Sequence, residues 1–260
     1  MKIEYVVLVI GAGGTGGNFV KEFARYAKFL HDENVSIKIV LIDGDKVESK
    51  NQERQPFISE DVEQYKAVTL ASAIQDCFEF DNIYAYPVYI DSLDDIADIA
   101  CNNMSYSNLV YKSMGNVSIP IVVGAVDNHR ARQELEKYFN SMDNIFYLDS
   151  ANEFSSGELV AAGRVNGEEV APPRSFYFPE VLTDKSKSAK ELSCGVVNES
   201  APQHLSTNLF AANLVLSSIV NIISEKKFDG GICYFDRERL YSKFYSYEEI
   251  KAQRGEKAYV

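Results

Sequence analysis

The chain has 260 residues, a net charge of −12 and an apolar share of 46%. That length and composition suit one large α/β domain with a sizeable core, and the acidic balance speaks against nucleic-acid binding, which needs Lys and Arg against phosphates. No run of about 18 apolar residues suggests a membrane span, and residues 1–10 enter a strand pattern with no signal-peptide cleavage site, so a cytoplasmic protein is expected. The four cysteines, Cys77, Cys101, Cys194 and Cys233, form no CxxC pair. Neither a disulfide framework nor a zinc knuckle is expected from them. His31, His129 and His204 are scattered and read as surface or packing residues.

Along the chain, residues 5–10 (YVVLVI) form a short continuous apolar run, the pattern of a strand buried on both faces of a parallel sheet. A glycine-rich turn follows. Phe19, Phe23, Ala27 and Leu30 then recur at helical spacing. Residues 35–42 are a second β-branched run ending at Asp43. A helix is expected over 60–78, a strand over 83–90, and a short helix over 92–102. Residues 119–126 read as an apolar strand, 128–139 as a helix and 144–148 as a strand. This alternation predicts a Rossmann-like, mostly parallel sheet with helices on both faces.

The C-terminal part reads differently. A strand is expected over 157–165, followed by the turn signal Asn166-Gly167. Residues 171–191, rich in Pro, Ser and Lys, read as a long exposed crossing loop. Residues 205–223 are the most apolar helix candidate, and 233–235 with 240–245 read as a terminal hairpin, giving antiparallel strands. No linker is visible, so the expected organisation is a single domain over 1–260: a nucleotide-binding part (1–150), then a crossing loop, helix and strands (151–260). Cys77, Cys101 and Cys233 read as core residues.

Residues 11–17 read GAGGTGG, in which Gly11, Gly13 and Gly16 satisfy G-x-G-x-x-G with Gly14 beside them. Such a turn lets a phosphate approach the backbone, and the following helix offers free N–H groups to an anion. Asp43 ends the next strand, where an acid can accept from ribose hydroxyls. Its spacing from the glycines is longer than the roughly 20 residues usual in NAD enzymes. The glycines indicate a nucleotide without saying which.

Residues 41–57 read LIDGDKVESKNQERQPF. Asp43, Asp45, Val47, Asn51, Arg54 and Gln55 match D-x-D-x-V-x-x-x-N-x-x-R-Q. Lys66 follows in DVEQYKAVTLA, and VVGAVDNHRAR carries Asp127 and Asn128, then Arg130 and Arg132. Together these stretches resemble the ThiF, MoeB and ubiquitin-activating enzyme family over roughly residues 5–165, with a weaker echo at Cys194 and at Pro202-Gln203 to Asn208. One departure is the family's glycine ahead of the lysine, which is Glu63 or Gln64 here. Taken alone, Arg54 or Lys66 reads as a surface charge, Asp127 as a helix N-cap and Asp45 as a turn residue. Their combination with the glycine turn is what points to a site.

The resemblance implies ATP-dependent adenylation of a C-terminal carboxylate on a small ubiquitin-like protein or peptide. Gly11, Gly13, Gly14 and Gly16 would shape the loop under the nucleotide, and Asp43 would hold the ribose. Asn51, Arg54 and Lys66 would contact the phosphates, and Asp127 would hold Mg²⁺. These residue types suit the chemistry: a planar Arg fork and a Lys point charge neutralise phosphates, and Mg²⁺ takes oxygen ligands with few from protein. The resemblance also implies a homodimer. Cys194 is a candidate thioester nucleophile, though a small buried residue or a leftover zinc position is the favoured reading. Relatives with structural zinc carry two CxxC pairs; with none here, no zinc is expected. Two other readings stay open: a non-catalytic nucleotide- or partner-binding protein, and an NAD-dependent oxidoreductase, which accounts for the glycines and Asp43 but leaves Asn51, Arg54, Lys66 and Asp127 unexplained.

Overall fold

The first apolar run becomes the middle strand of the parallel half of a sheet with nine strands among the described residues. β1 (Ile3–Ile10) pairs in parallel with β2 (Val35–Ile42) on one side and with β4 (Val117–Gly124) on the other. The computed structural model describes residues 2–30, 34–106, 115–185 and 203–256. β3 (Ile83–Tyr86) extends the parallel half beyond β2, and β5 (Ile145–Asn152) extends it beyond β4. From β5 onward the pairing turns antiparallel, through β6 (Ser156–Val165), β8 (Gly231–Asp236) and β9 (Tyr241–Ser246); β7 (Glu168–Ala171) pairs with the last residues of β6. Across the sheet the order is β3-β2-β1-β4-β5-β6-β8-β9. This is the mostly parallel sheet with antiparallel C-terminal strands that the sequence pattern predicts.

Both faces of the parallel half are covered, which is why its strands are continuously apolar rather than alternating. Val7, Val9, Ile39 and Leu41 pack with Phe19 and Phe23 of α1 (Gly14–Phe29) and Leu70 and Ile74 of α2 (Lys66–Phe78). Val215 and Ile219 of α7 (Leu205–Ile223) complete that layer. On the opposite face Val6, Leu8 and Val40 meet Ile96 and Ile99 of α3 (Leu93–Asn103) and Leu135 and Phe139 of α4 (His129–Ser141). Each such side chain contributes about 1.5–3 kcal/mol on burial. By length and composition α7 could cross a membrane. Here it packs on α1, β5 and β6.

Several expectations are corrected. The helix expected over 60–78 begins only at Lys66, after a 3₁₀ turn at Ser59–Asp61. Backbone pairing prevents the earlier start: Glu63 N–H donates to Val47 O, Val47 N–H to Gln64 O, and Lys66 N–H to Asp45 O. Glu63 also takes a left-handed φ of 70°, in the stretch where the family pattern has its glycine. The strand expected over 83–90 stops at Tyr86, because Pro87 has no N–H for the ladder. Residues 171–185 are not an exposed loop. They form β7's end and two short helices, α5 (Arg174–Tyr177) and α6 (Glu180–Thr183), with Pro172, Pro173 and Arg174 buried. Cys77 and Cys101 are exposed on α2 and α3 rather than in the core, while Cys233 is half-buried in β8. A last helix, α8 (Tyr247–Glu256), follows the hairpin unforeseen. Cys194 and the remainder of the expected loop lie outside the described residues.

Candidate functional site

In an open parallel sheet, ligands bind beyond the carboxyl ends of the strands, where the strand order reverses. That point lies between β1 and β4. Gly11, just past β1, has φ +99°, and a Cβ there would sit 2.5 Å from Ala125 O on the loop after β4. Only glycine lets the two loops lie that close. Gly13 then opens α1 with no side-chain cap on its first turn. The N–H groups of that turn stay available to an anion.

Asp43, at the end of β2, fastens this loop. Its Oδ2 accepts from Ala12 N–H at 2.6 Å and its Oδ1 from Asp45 N–H at 2.8 Å. Each carboxylate oxygen keeps a second lone pair, so ribose hydroxyls still have acceptors. Burial raises the Asp43 pKa above the ordinary carboxylate value and the Asp45 charge adds to this, against Lys66 and the two N–H groups.

Asp45, read from the sequence as a turn residue, belongs to the cluster. It accepts from Lys66 Nζ at 2.9 Å and from the Tyr89 hydroxyl at 2.7 Å. Desolvation works against its ionised form, but the Lys66 ammonium and these bonds hold its pKa below the usual value. Lys66 itself is 6% exposed, so it is not a solvated surface charge.

Arg54 is placed from two sides. Asn18 of α1 donates to Gly14 O at 2.6 Å and lies 3.5 Å from Arg54 O. The guanidinium donates to Gln203 Oε1 at 2.9 Å. Gln203 in turn donates to Asn152 O at 3.3 Å, and Asn152 bonds both Thr15 of the glycine loop and Asn208 of α7. A Cβ on Gly14 would lie 1.9 Å from Asn208 Nδ2, so α7 presses directly on the loop. Asn51 is buried, and its Oδ1 accepts from Glu48 N–H at 2.8 Å, stabilising the turn that carries Arg54.

Asp127 lies beyond β4, exposed. It is not the N-cap of α4; Asn128 is, accepting from Ala131 N–H at 2.8 Å. Among the described residues no hydrogen bond or ion pair ties up the Asp127 carboxylate. A single open carboxylate fits Mg²⁺, which keeps most of its shell from water and phosphate. Arg130, itself exposed, pairs with the buried Glu134, whereas Arg132 is buried against Asp149.

The structure thus gathers Gly11, Gly13, Gly14, Gly16, Asp43, Asn51, Arg54 and Lys66 at one edge, with Asp127 on the neighbouring strand end. Sequence reasoning missed Asn18, Tyr89, Asn152, Arg174 and the placing role of Gln203. A cleft of about 350 Å³ adjoins the glycine loop at Asn152, lined also by Glu158, Tyr234, Phe235 and Tyr241.

A family profile described as ThiF family matches residues 3–254. Solved structures similar to this chain include PaaA, at 16% identity and TM-score 0.62, covering 94% of this chain and 64% of that one. Escherichia coli MccB with ATP is similar at 14% identity and TM-score 0.62, covering 93% and 63%. The same enzyme with AMPCPP and MccA gives 14% and 0.61, again covering 93% and 63%. The chain therefore spans under two thirds of the length of these structures. No curated protein matches.

Proposed function

Because the chain belongs to the ThiF family, we propose that it activates the C-terminal carboxylate of a peptide or small protein by adenylation with ATP. The carrying observation is a bonded chain at the carboxyl edge of the sheet: Asp43 holds the glycine loop at Ala12 and meets Asp45, Asp45 holds Lys66, and Asn18 of α1 links the same loop to the turn bearing Arg54. A dinucleotide site accounts for the glycine loop and Asp43 and leaves the Asn51, Arg54, Lys66 and Asp127 combination unexplained. That MccB has been solved with ATP, and with AMPCPP and MccA, supports a nucleotide and a peptide in a fold of this shape.

In this reading a carboxylate oxygen attacks the α-phosphorus of ATP. The bond to the bridging oxygen breaks, and its electrons leave with pyrophosphate, giving an acyl-adenylate. No protein nucleophile takes part. Asp43 accepts from the ribose hydroxyls. Arg54 offers a planar fork to the phosphates, and Lys66, with one N–H on Asp45, has two more to give. Holding these charges in place before reaction is the main catalytic contribution. Magnesium held by Asp127 would offset the charge that builds on the leaving group. The cleft beyond Asn152 admits the chain end that bears the carboxylate. A ubiquitin-like partner and a homodimeric assembly are part of the proposal.

Thermal unfolding of wild type and Asp127→Ala with Mg-ATP, with ATP plus EDTA, and with NAD tests it. Ligand at 100 times its dissociation constant stabilises by about 2.7 kcal/mol. Mg-ATP should raise the wild-type midpoint, with a smaller rise in EDTA or in the variant. A rise with NAD and none with ATP would overturn the reading.

A further inference from the structure

Asp149 lies in the middle of β5, opposite Gly124 of β4, and is fully buried. Its Oδ1 accepts from Arg132 Nε at 3.1 Å; its Oδ2 accepts from Arg174 Nε at 2.8 Å and from the Tyr147 hydroxyl at 3.1 Å. Both arginines are themselves buried. Replacing such an ion cluster with apolar side chains is often neutral or stabilising, so stability alone is a weak reason for three buried charges. What the cluster supplies is direction. Arg132 Nη2 donates to Val126 O at 2.6 Å and to Ser150 O at 3.3 Å. Val126 is the residue before Asp127. On the other side of Asp127, Asn128 is fixed as the cap of α4. The peptide that bears Asp127 is therefore gripped at both ends while its carboxylate stays exposed.

Arg174 makes the second arm. It donates to Asp149 O at 3.1 Å and to Glu158 Oε1 at 2.6 Å, and Glu158 lines the cleft beyond Asn152. One buried carboxylate thus ties the strand-end acid on β4 to the cleft wall on β6.

We propose that Asp149, acting through Arg132, is a positioning residue for Asp127 and hence for magnesium in the nucleotide complex. The proposal rests on the adenylation reading. Arg132 fixes the Val126–Asp127 peptide, so loosening Arg132 spreads the Asp127 carboxylate over several orientations. Outer partners of this kind typically change metal affinity by about 10–100-fold. Among the described residues Asp43, Arg54 and Lys66 make their side-chain hydrogen bonds with Ala12, Asp45 and Gln203, outside this link.

The test is ATP binding by calorimetry, in EDTA and across a Mg²⁺ titration, well below the unfolding midpoint. Arg132→Lys keeps a cation beside Asp149 and loses the reach to Val126 O; Asp149→Asn keeps the shape and loses the anchor. Both should raise the Mg²⁺ midpoint by about tenfold or more while ATP affinity in EDTA stays within about twofold. The double variant should be no worse than the worse single one, since both cut the same link. A general structural lesion would weaken binding in EDTA as well. Unchanged Mg²⁺ midpoints in the variants, or equal losses with and without metal, overturn the positioning role alone. Wild-type ATP binding that ignores Mg²⁺ overturns it together with the adenylation reading.

Discussion

The parallel half of the sheet and its antiparallel half build the site in different ways. Around β1, β2 and β4 the work is done by backbone: a glycine loop, an uncapped helix start, and an aspartate that accepts main-chain N–H groups. Across β5, β6 and α7 it is done by side chains from distant positions, with Asn152, Gln203 and Asn208 reaching back to the loop and to Arg54. Backbone sites are made by local sequence and tolerate little change at their glycines. Side-chain sites are made by packing, and fail when one member of a network is lost.

The largest expected effect lies where the halves meet. Asp149→Ala leaves Arg132 and Arg174 buried without their shared acid, a change that typically costs about 3–5 kcal/mol. Denaturant unfolding would read it as a lower midpoint at unchanged slope. A loss below about 1 kcal/mol would mean that water or Glu158 takes over the charge, and the seam would then be less demanding than its geometry indicates. Gly11→Ala tests the backbone side. The left-handed φ costs about 1–3 kcal/mol for a residue with a side chain, and the new Cβ would press on Ala125 O. ATP affinity should fall along with stability, because the loop and the β4 end must move apart. Retained affinity in a destabilised Gly11→Ala protein would show that the loop's close approach to β4 serves the fold only.

This contrast also explains what was legible in the sequence. The parallel strands were readable because burial on both faces leaves continuous apolar runs, and the glycine loop because its residues are contiguous. Asp43, Arg54, Lys66 and Asp127 came through the spacing of one family pattern, and the structure places all four along the carboxyl edge of the sheet. Asp45 stands inside that pattern and by itself reads as a turn residue; its bonds to Lys66 and Tyr89 depend on a fold that brings Tyr89 across from the end of β3. Arg174 left no local signal. It sits in a Pro-rich stretch that looks exposed, and Asp149 and Glu158, 25 and 16 positions earlier, draw it inside. Gln203 likewise meets Arg54 from 149 positions away.

The smallest effect expected separates the halves by pH. Asp43, on the parallel side, has its pKa raised, chiefly by burial. On acidification the folded state takes up this proton before the unfolded chain does, so Asp43 adds stability as pH falls through its folded value. Asp149 has the opposite sign. Burial alone would raise its pKa, but Arg174 and Arg132 hold it below the ordinary value. Its contribution is complete above the unfolded aspartate value of about 3.9 and is lost as pH falls through the lower folded value. Acid should therefore reach the two halves in sequence. A protonated Asp43 has lost acceptor strength toward the ribose, so ATP affinity should decline over a pH range in which the Asp149 cluster still holds the fold. Affinity and unfolding midpoint measured together across that range check this, with Asp43→Asn as the reference. The variant should bind more weakly at neutral pH and show a flatter pH response than wild type, which also cancels the titration of ATP itself. If wild type and variant share one slope, Asp43 serves the glycine loop alone, and ribose recognition belongs to another residue of the parallel half.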